Sequence, residues 1–168
     1  MRVDKIYFDM DGVLADFSRG VRELCGIDPR TQDEEAGDYD TQMFEAIRKV
    51  DHFYDRLEMI RGSEALFQRV RDRYGDRCEI LTAVPKPKRH IRDAAQDKVN
   101  WIRRLLSDDV KINIVMRQDK KEFCTGKTCV LIDDFSENIQ AWEECGGTGI
   151  LYKDARSAQR QLEDLGIL

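Results

Sequence analysis

The sequence predicts an α/β fold: a parallel sheet flanked by helices, with a small, mainly helical insertion after the first strand. Two observations carry this. From Ser63 onward, short apolar runs of strand length alternate with stretches whose apolar residues recur at helical spacing. Before that point, residues 16–60 break the alternation.

The first strand covers residues 3–9, where Val3, Ile6, Tyr7 and Phe8 read as buried on both faces. It ends on Asp9-Met10-Asp11-Gly12. Strand side chains alternate, so Asp9 and Asp11 project to one side if the chain stays extended, and Gly12 allows a sharp turn. Phe17, Val21 and Leu24 then mark a helix that Gly26 would stop. Residues 28–42 hold Asp28, Asp33, Glu34, Glu35, Asp38 and Asp40 around Pro29 and Gly37, and read as an irregular, solvated connection without the spacing of a calcium loop. Met43, Phe44, Ile47 and Val50 suggest a second helix before Phe53-Tyr54.

Ser63 is an expected helix N-cap, with Leu66, Phe67, Val70 and Tyr74 as the stripe and Gly75 as the stop. A second strand follows at Glu79–Thr82, then a helix striped by Ala95, Val99, Ile102 and Leu106. Ile112–Met116 and Cys129–Ile132 are the third and fourth strands. Ile139, Trp142 and Cys145 stripe a helix, Ile150–Tyr152 make a fifth strand, and Ala158, Leu162 and Leu165 lie on a last helix.

The bulk properties narrow the function. With 36% charged and 41% hydrophobic residues in 168, the chain suits one soluble globular domain. A net charge of -5 speaks against nucleic-acid binding, and no apolar run approaches the roughly 20 residues of a membrane span. Five cysteines without C-x-x-C spacing read as free thiols in a reducing cytoplasm.

In an open α/β sheet, ligands bind beyond the carboxyl ends of the strands. Those ends deliver Asp9 and Asp11, then Thr82 with Ala83, Val84, Pro85 and Lys86, then Asp119, Lys120 and Lys121, then Asp133 and Asp134. Such a rim fits phosphoryl transfer through an aspartyl phosphate. Several carboxylates together call for a cation, and oxygen-only ligands favour Mg²⁺. Asp11 would protonate the leaving oxygen and later activate water, Thr82 would bond a phosphate oxygen, and a lysine would balance charge. The basic run Lys86, Lys88, Arg89, His90 and Arg92 could steer an anion or simply be a solvated loop. His52 and His90 show no evident partners.

These four groups, in this order, resemble the motifs of the haloacid dehalogenase (HAD) superfamily. Asp9-Met-Asp-Gly-Val-Leu-Ala-Asp-Phe17, Thr82-x-x-Pro85-Lys86, Lys98-x-x-Trp101, Arg117-x-Asp119-Lys120 and Leu131-Ile132-Asp133-Asp134 resemble the 5′(3′)-deoxyribonucleotidases in particular. The resemblance implies a Rossmann-like parallel sheet core over residues 1–15 and 61–168, with a small helical cap over 16–60. It implies Asp9 as nucleophile and Asp11 as acid/base. Asp134 would bind Mg²⁺ with Asp9 and the Asp11 backbone carbonyl, supported by Asp133. Thr82 and an amide near Ala83 would hold phosphate, with Lys86 as a second contact. Lys120 would neutralise charge, with Lys121 one residue away as the alternative. Phe17, with Phe53 or Tyr54, would stand near the leaving group. The family usually has a hydroxyl residue and then proline after the threonine; here Ala83 and Val84 intervene, which bears on the substrate.

The implied activity is a cytoplasmic, Mg²⁺-dependent phosphatase of nucleoside monophosphates. Its partners are a small phosphorylated substrate and no nucleic acid or membrane, with a homodimer allowed for. A phosphatase or phosphomutase of sugar phosphates or other metabolites shares every motif, and a catalytically silent nucleotide-binding protein is the alternative of another class. A signalling receiver domain carries similar groups in the reverse order.

Overall fold

The computed structural model describes residues 1–28 and 37–168. Five parallel strands, β1 (Lys5–Phe8), β2 (Cys78–Ala83), β3 (Ile112–Val115), β4 (Cys129–Asp133) and β5 (Thr148–Leu151), form one sheet in the order β3-β2-β1-β4-β5. The order reverses between β1 and β4, and a crevice opens at such a switch point beyond the strand ends. Tyr7 pairs with Leu131 and Phe8 with Ile132, and the Asp9 amide extends the ladder by donating to the Ile132 carbonyl at 2.9 Å. The carboxylates that follow β1 and β4 are thereby set side by side.

Alternation along β1 sends Ile6 and Phe8 to one face and Tyr7 to the other, and all three are buried. The Phe8 face carries the larger core, built with α3 (Ser63–Tyr74), α4 (Ala94–Leu105) and α6 (Ala155–Asp164). Phe8 meets Phe67 edge to face at 5.4 Å. Each such side chain contributes about 1.5–3 kcal/mol by leaving water. On the Tyr7 face, α5 (Ser136–Glu144) supplies Ile139 and Trp142, and the 3₁₀ helix Arg117–Phe123 supplies Phe123.

Between β1 and α3 lie α1 (Phe17–Cys25), α2 (Gly37–Arg48) and a 3₁₀ turn, Phe53–Arg56. The chain leaves and returns through paired stems: Asp16 N–H donates to the Glu58 carbonyl and Ile60 N–H to the Leu14 carbonyl, each at 2.8 Å, around an Ala15–Met59 bridge.

Several local expectations are corrected. The solvated connection over 28–42 is helical from Gly37; its residues Pro29, Asp33, Glu34 and Glu35 lie outside the described residues. The N-cap of α3 is Gly62, because the Ser63 hydroxyl is drawn inward to donate to the Val13 carbonyl at 2.6 Å and meets the Tyr152 hydroxyl at 2.6 Å. The buried face of α4 is Ala94, Asp97, Lys98, Trp101 and Ile102, while Ala95 is exposed. Cys145 and Leu165 sit just past their helices and are exposed.

Candidate active site

Past β1 the chain winds into a tight turn in which the Met10 carbonyl accepts from the amides of Val13, Leu14 and Ala15. Gly12 adopts φ +80° there, and a Cβ on it would stand 2.1 Å from Asp134 Oδ2. Glycine is required twice over, for the left-handed backbone and for the approach of that carboxylate.

The two β1 carboxylates part company in space. Asp9 meets Lys120, whose ammonium lies 2.9 Å from Asp9 Oδ1 and donates to Asp133 Oδ2 at 2.7 Å. Asp133 is filled further by the Phe135 amide at 2.9 Å and the Asn138 amide group at 3.0 Å. Lys120 is buried and Lys121 exposed, so the phase of the 3₁₀ helix picks out Lys120.

Asp11 instead meets Lys98. This fully buried lysine donates to Asp11 Oδ2 at 2.5 Å, to the Ala83 carbonyl at 2.6 Å and to the Thr82 hydroxyl at 3.1 Å, and its ammonium lies 4.7 Å from the centre of the Tyr54 ring. Asp11 Oδ1 is buried with no hydrogen-bond partner among the described residues. Lys98 has no assigned role in the sequence reading. The signal was there: Lys98 falls on the same helical face as Ala94 and Trp101, and a cation within an apolar stripe needs a partner.

Oxygens of Asp9, Asp133 and Asp134 all lie within 4.8 Å of one another, whereas the Asp11 carboxylate stands outside this trio. Burial pushes the Asp9 carboxyl above the ordinary carboxylate range, with Lys120 opposing and Asp133 and Asp11 adding to the push. Burial, then the charges of Asp9 and Asp133, push Asp134 up to about 8. Burial alone would lower Lys120, but Asp9 and Asp133 outweigh it, so the ammonium is held charged. The donor set is all oxygen and carries more negative charge than one lysine offsets. These residues fit a hard divalent cation such as Mg²⁺.

A cavity of about 660 Å³ opens above them. Of the expected substrate contacts, Ala83, Lys86 and Phe17 line it, as does Tyr54. Phe17 stacks on Tyr54 with ring centres 6.3 Å apart and meets Phe53 edge-on at 5.7 Å. Thr82 lies beneath the lining, fully buried, with its hydroxyl on Lys98. His52, expected to lack a partner, pairs through Nδ1 with Asp97 Oδ1 at 2.8 Å, and that bond raises its pKa. His90 is exposed in the loop after β2.

The architecture is shared with solved hydrolases. One from Streptococcus pneumoniae TIGR4 superposes with a TM-score of 0.54 at 10% identity, over 97% of this chain and 100% of that one. One from Pseudomonas syringae gives 0.54 at 16%, over 94% and 90%. A HAD family hydrolase from Deinococcus radiodurans R1, with bound phosphate and sodium, gives 0.52 at 14%, over 94% and 87%. At these identities the likeness is one of fold. No curated protein matches the chain. Residues 2–164 match the family described as 5′ nucleotidase, deoxy (pyrimidine), cytosolic type C protein.

Proposed function

The chain belongs to this cytosolic type C 5′-nucleotidase family of HAD hydrolases, and on that premise we propose that it is a Mg²⁺-dependent phosphatase of deoxynucleoside monophosphates. The observation that carries the reading is the division of labour at the β1 end. Asp9 and Asp11 each pair with a different buried lysine, and both line one cavity with Asp134.

Asp9 attacks phosphorus as the bond to the leaving oxygen breaks, and Asp11 gives that oxygen a proton. Lys98, bonded to Asp11 Oδ2, holds the carboxyl group in place for that exchange. Asp11 then takes a proton from the water that attacks the aspartyl phosphate, releasing phosphate and restoring Asp9. Lys120 balances charge on the transferring group. Mg²⁺, held by Asp9, Asp134 and the Asp11 backbone carbonyl, would offset repulsion between Asp9 and the phosphate dianion. Ala83 and Lys86 contact the phosphate. Thr82 serves beneath them, through Lys98.

Residues 16–60 act as a cap, with Phe17 and Tyr54 beside the nucleoside. The apolar side of the cavity, which adds Met43 and Phe44, supports a nucleoside over a smaller sugar. A cytoplasmic setting is part of the proposal, supported by the cytosolic description of the matching family.

Phosphate release from a panel of small phosphate esters, with Mg²⁺ and with EDTA, tests this. Magnesium-dependent turnover of deoxynucleotides is expected. Preference for a sugar phosphate would keep the chemistry and discard the substrate. Asp9→Asn should abolish turnover with an unchanged circular dichroism spectrum; activity retained there would remove the covalent mechanism.

A further inference from the structure

Beyond Asp9, Asp11, Asp134 and Lys120, the cavity is lined by more positive charge than one phosphate requires, five cations against Asp40 and Glu137. Lys86, Lys88 and Arg89 reach it from the loop after β2, and Arg117 and Lys121 from the 3₁₀ helix after β3. None of the five pairs with a carboxylate among the described residues, although the chain as a whole is acidic at -5. Elsewhere on the surface, Arg19, Arg71 and Arg104 do find such partners.

Two of these cations are held in place. The Arg89 guanidinium carbon lies 5.0 Å from the centre of the Phe44 ring, and its Nη1 donates to the Thr41 hydroxyl at 3.2 Å. The Arg117 guanidinium carbon lies 4.4 Å from the centre of the Phe135 ring. A ring under a guanidinium fixes its plane and leaves donors at the edge of the fork, an arrangement suited to phosphate oxygens. Cations that line one cavity without a carboxylate partner repel one another until an anion joins them. Lys120 at the floor and Lys86 already serve the scissile phosphate, so Lys88, Arg89, Arg117 and Lys121 are surplus to it.

We infer that the preferred substrate carries a second phosphate, bound by Arg89 and Arg117 while the first lies over Asp9. The substrate class is then a small bisphosphorylated molecule, a deoxynucleoside 3′,5′-bisphosphate in the simplest case. This rests on the nucleotidase reading and narrows it. About 660 Å³ lies within the usual range of roughly 300–1,000 Å³ for small-molecule sites.

The test compares kcat/KM for thymidine 5′-monophosphate and thymidine 3′,5′-bisphosphate, in the wild-type protein and in Arg89→Gln/Arg117→Gln. The wild type should favour the bisphosphate by about tenfold or more, and the double variant should lose most of that ratio, about 1.4 kcal/mol per tenfold. Lys88→Gln/Lys121→Gln, both exposed, should lower the ratio by about threefold and serves if the first variant does not fold. A wild type that turns over the monophosphate equally well overturns the second-phosphate site and leaves the nucleotidase reading standing. So does a loss shared equally by both substrates, which would mark the cations as general steering charges. Absence of magnesium-dependent release from either substrate removes the nucleotidase reading and the inference with it.

Discussion

Asp9 and Asp11 stand two residues apart in the chain, but the lysines that hold them come from opposite faces of the sheet, Lys120 from the 3₁₀ helix on the Tyr7 face and Lys98 from α4 on the Phe8 face. On the β4 side, Lys120 serves two carboxylates, Asp9 and Asp133, and Asp133 is bonded again by Phe135 and Asn138. That half is closed on itself and made from the core alone. On the β2 side, Lys98 serves one carboxylate and two neutral oxygens, with the Tyr54 ring beside it. That half reaches into the segment between β1 and α3. Asp9 is therefore fixed by the sheet, whereas Asp11 is tied to the insertion.

The comparison breaks first at Lys120. Lys120→Met leaves two buried carboxylates without their cation, so stability should fall by about 3–5 kcal/mol and turnover should vanish. Chemical denaturation in EDTA reads the first and phosphate release the second. Lys98→Met should cost less stability, about 1–3 kcal/mol, because Asp11 is partly exposed and the other partners are neutral. Its kcat should fall about a hundredfold with KM little changed. If Lys98→Met destabilises as much as Lys120→Met, the two halves are equivalent and the contrast fails.

Gly12→Ala probes the joint between the halves. The Cβ would collide with the Asp134 carboxylate at a φ that L residues avoid, so a loss of about 1–3 kcal/mol is expected. Titration with Mg²⁺ should show affinity weakened about tenfold or more, since Asp134 must retreat.

The smallest effect lies at His52. Its pKa is raised by the bond to Asp97, so the pair stabilises the protein fully below the unfolded value near 6.5. That contribution is lost as pH rises through the folded value. His52→Gln should flatten this part of the pH dependence of the unfolding midpoint. An unchanged slope would show that α4 holds the 3₁₀ turn without it, through Arg104 to Asp55 at 2.8 Å and Trp101 to the Leu57 carbonyl at 2.7 Å.

The β4 half was legible in the sequence because its groups follow apolar runs at strand ends, where the chain order itself gives the position. The β2 half was not. Ala95 and Val99 suggested one helix phase for α4, and packing chose the neighbouring one, which buries Lys98. A lysine in a helix reads as surface until its acceptors are known, and those of Lys98 come from two different strand ends. Ser63 shows the same limit: its residue type suits a cap, but Tyr152, far along the chain, claims the hydroxyl. Choosing Lys120 over Lys121 likewise required the turn that carries them.

The paired stems at Ala15 and Met59 have a consequence for recombination. Because the chain departs and returns through neighbouring hydrogen-bonded stems outside the sheet, the segment between them can be exchanged as a cassette without re-registering the sheet. Lengthening such a segment costs little, about 0.6 kcal/mol for each doubling. A graft must keep His52–Leu57, since His52, Tyr54 and the Leu57 carbonyl are bound to α4. What remains for exchange is α1 and α2, the two helices that supply Phe17, Met43 and Phe44 to the cavity, so a transplant there would alter substrate choice and leave Asp9, Lys120 and Asp133 undisturbed.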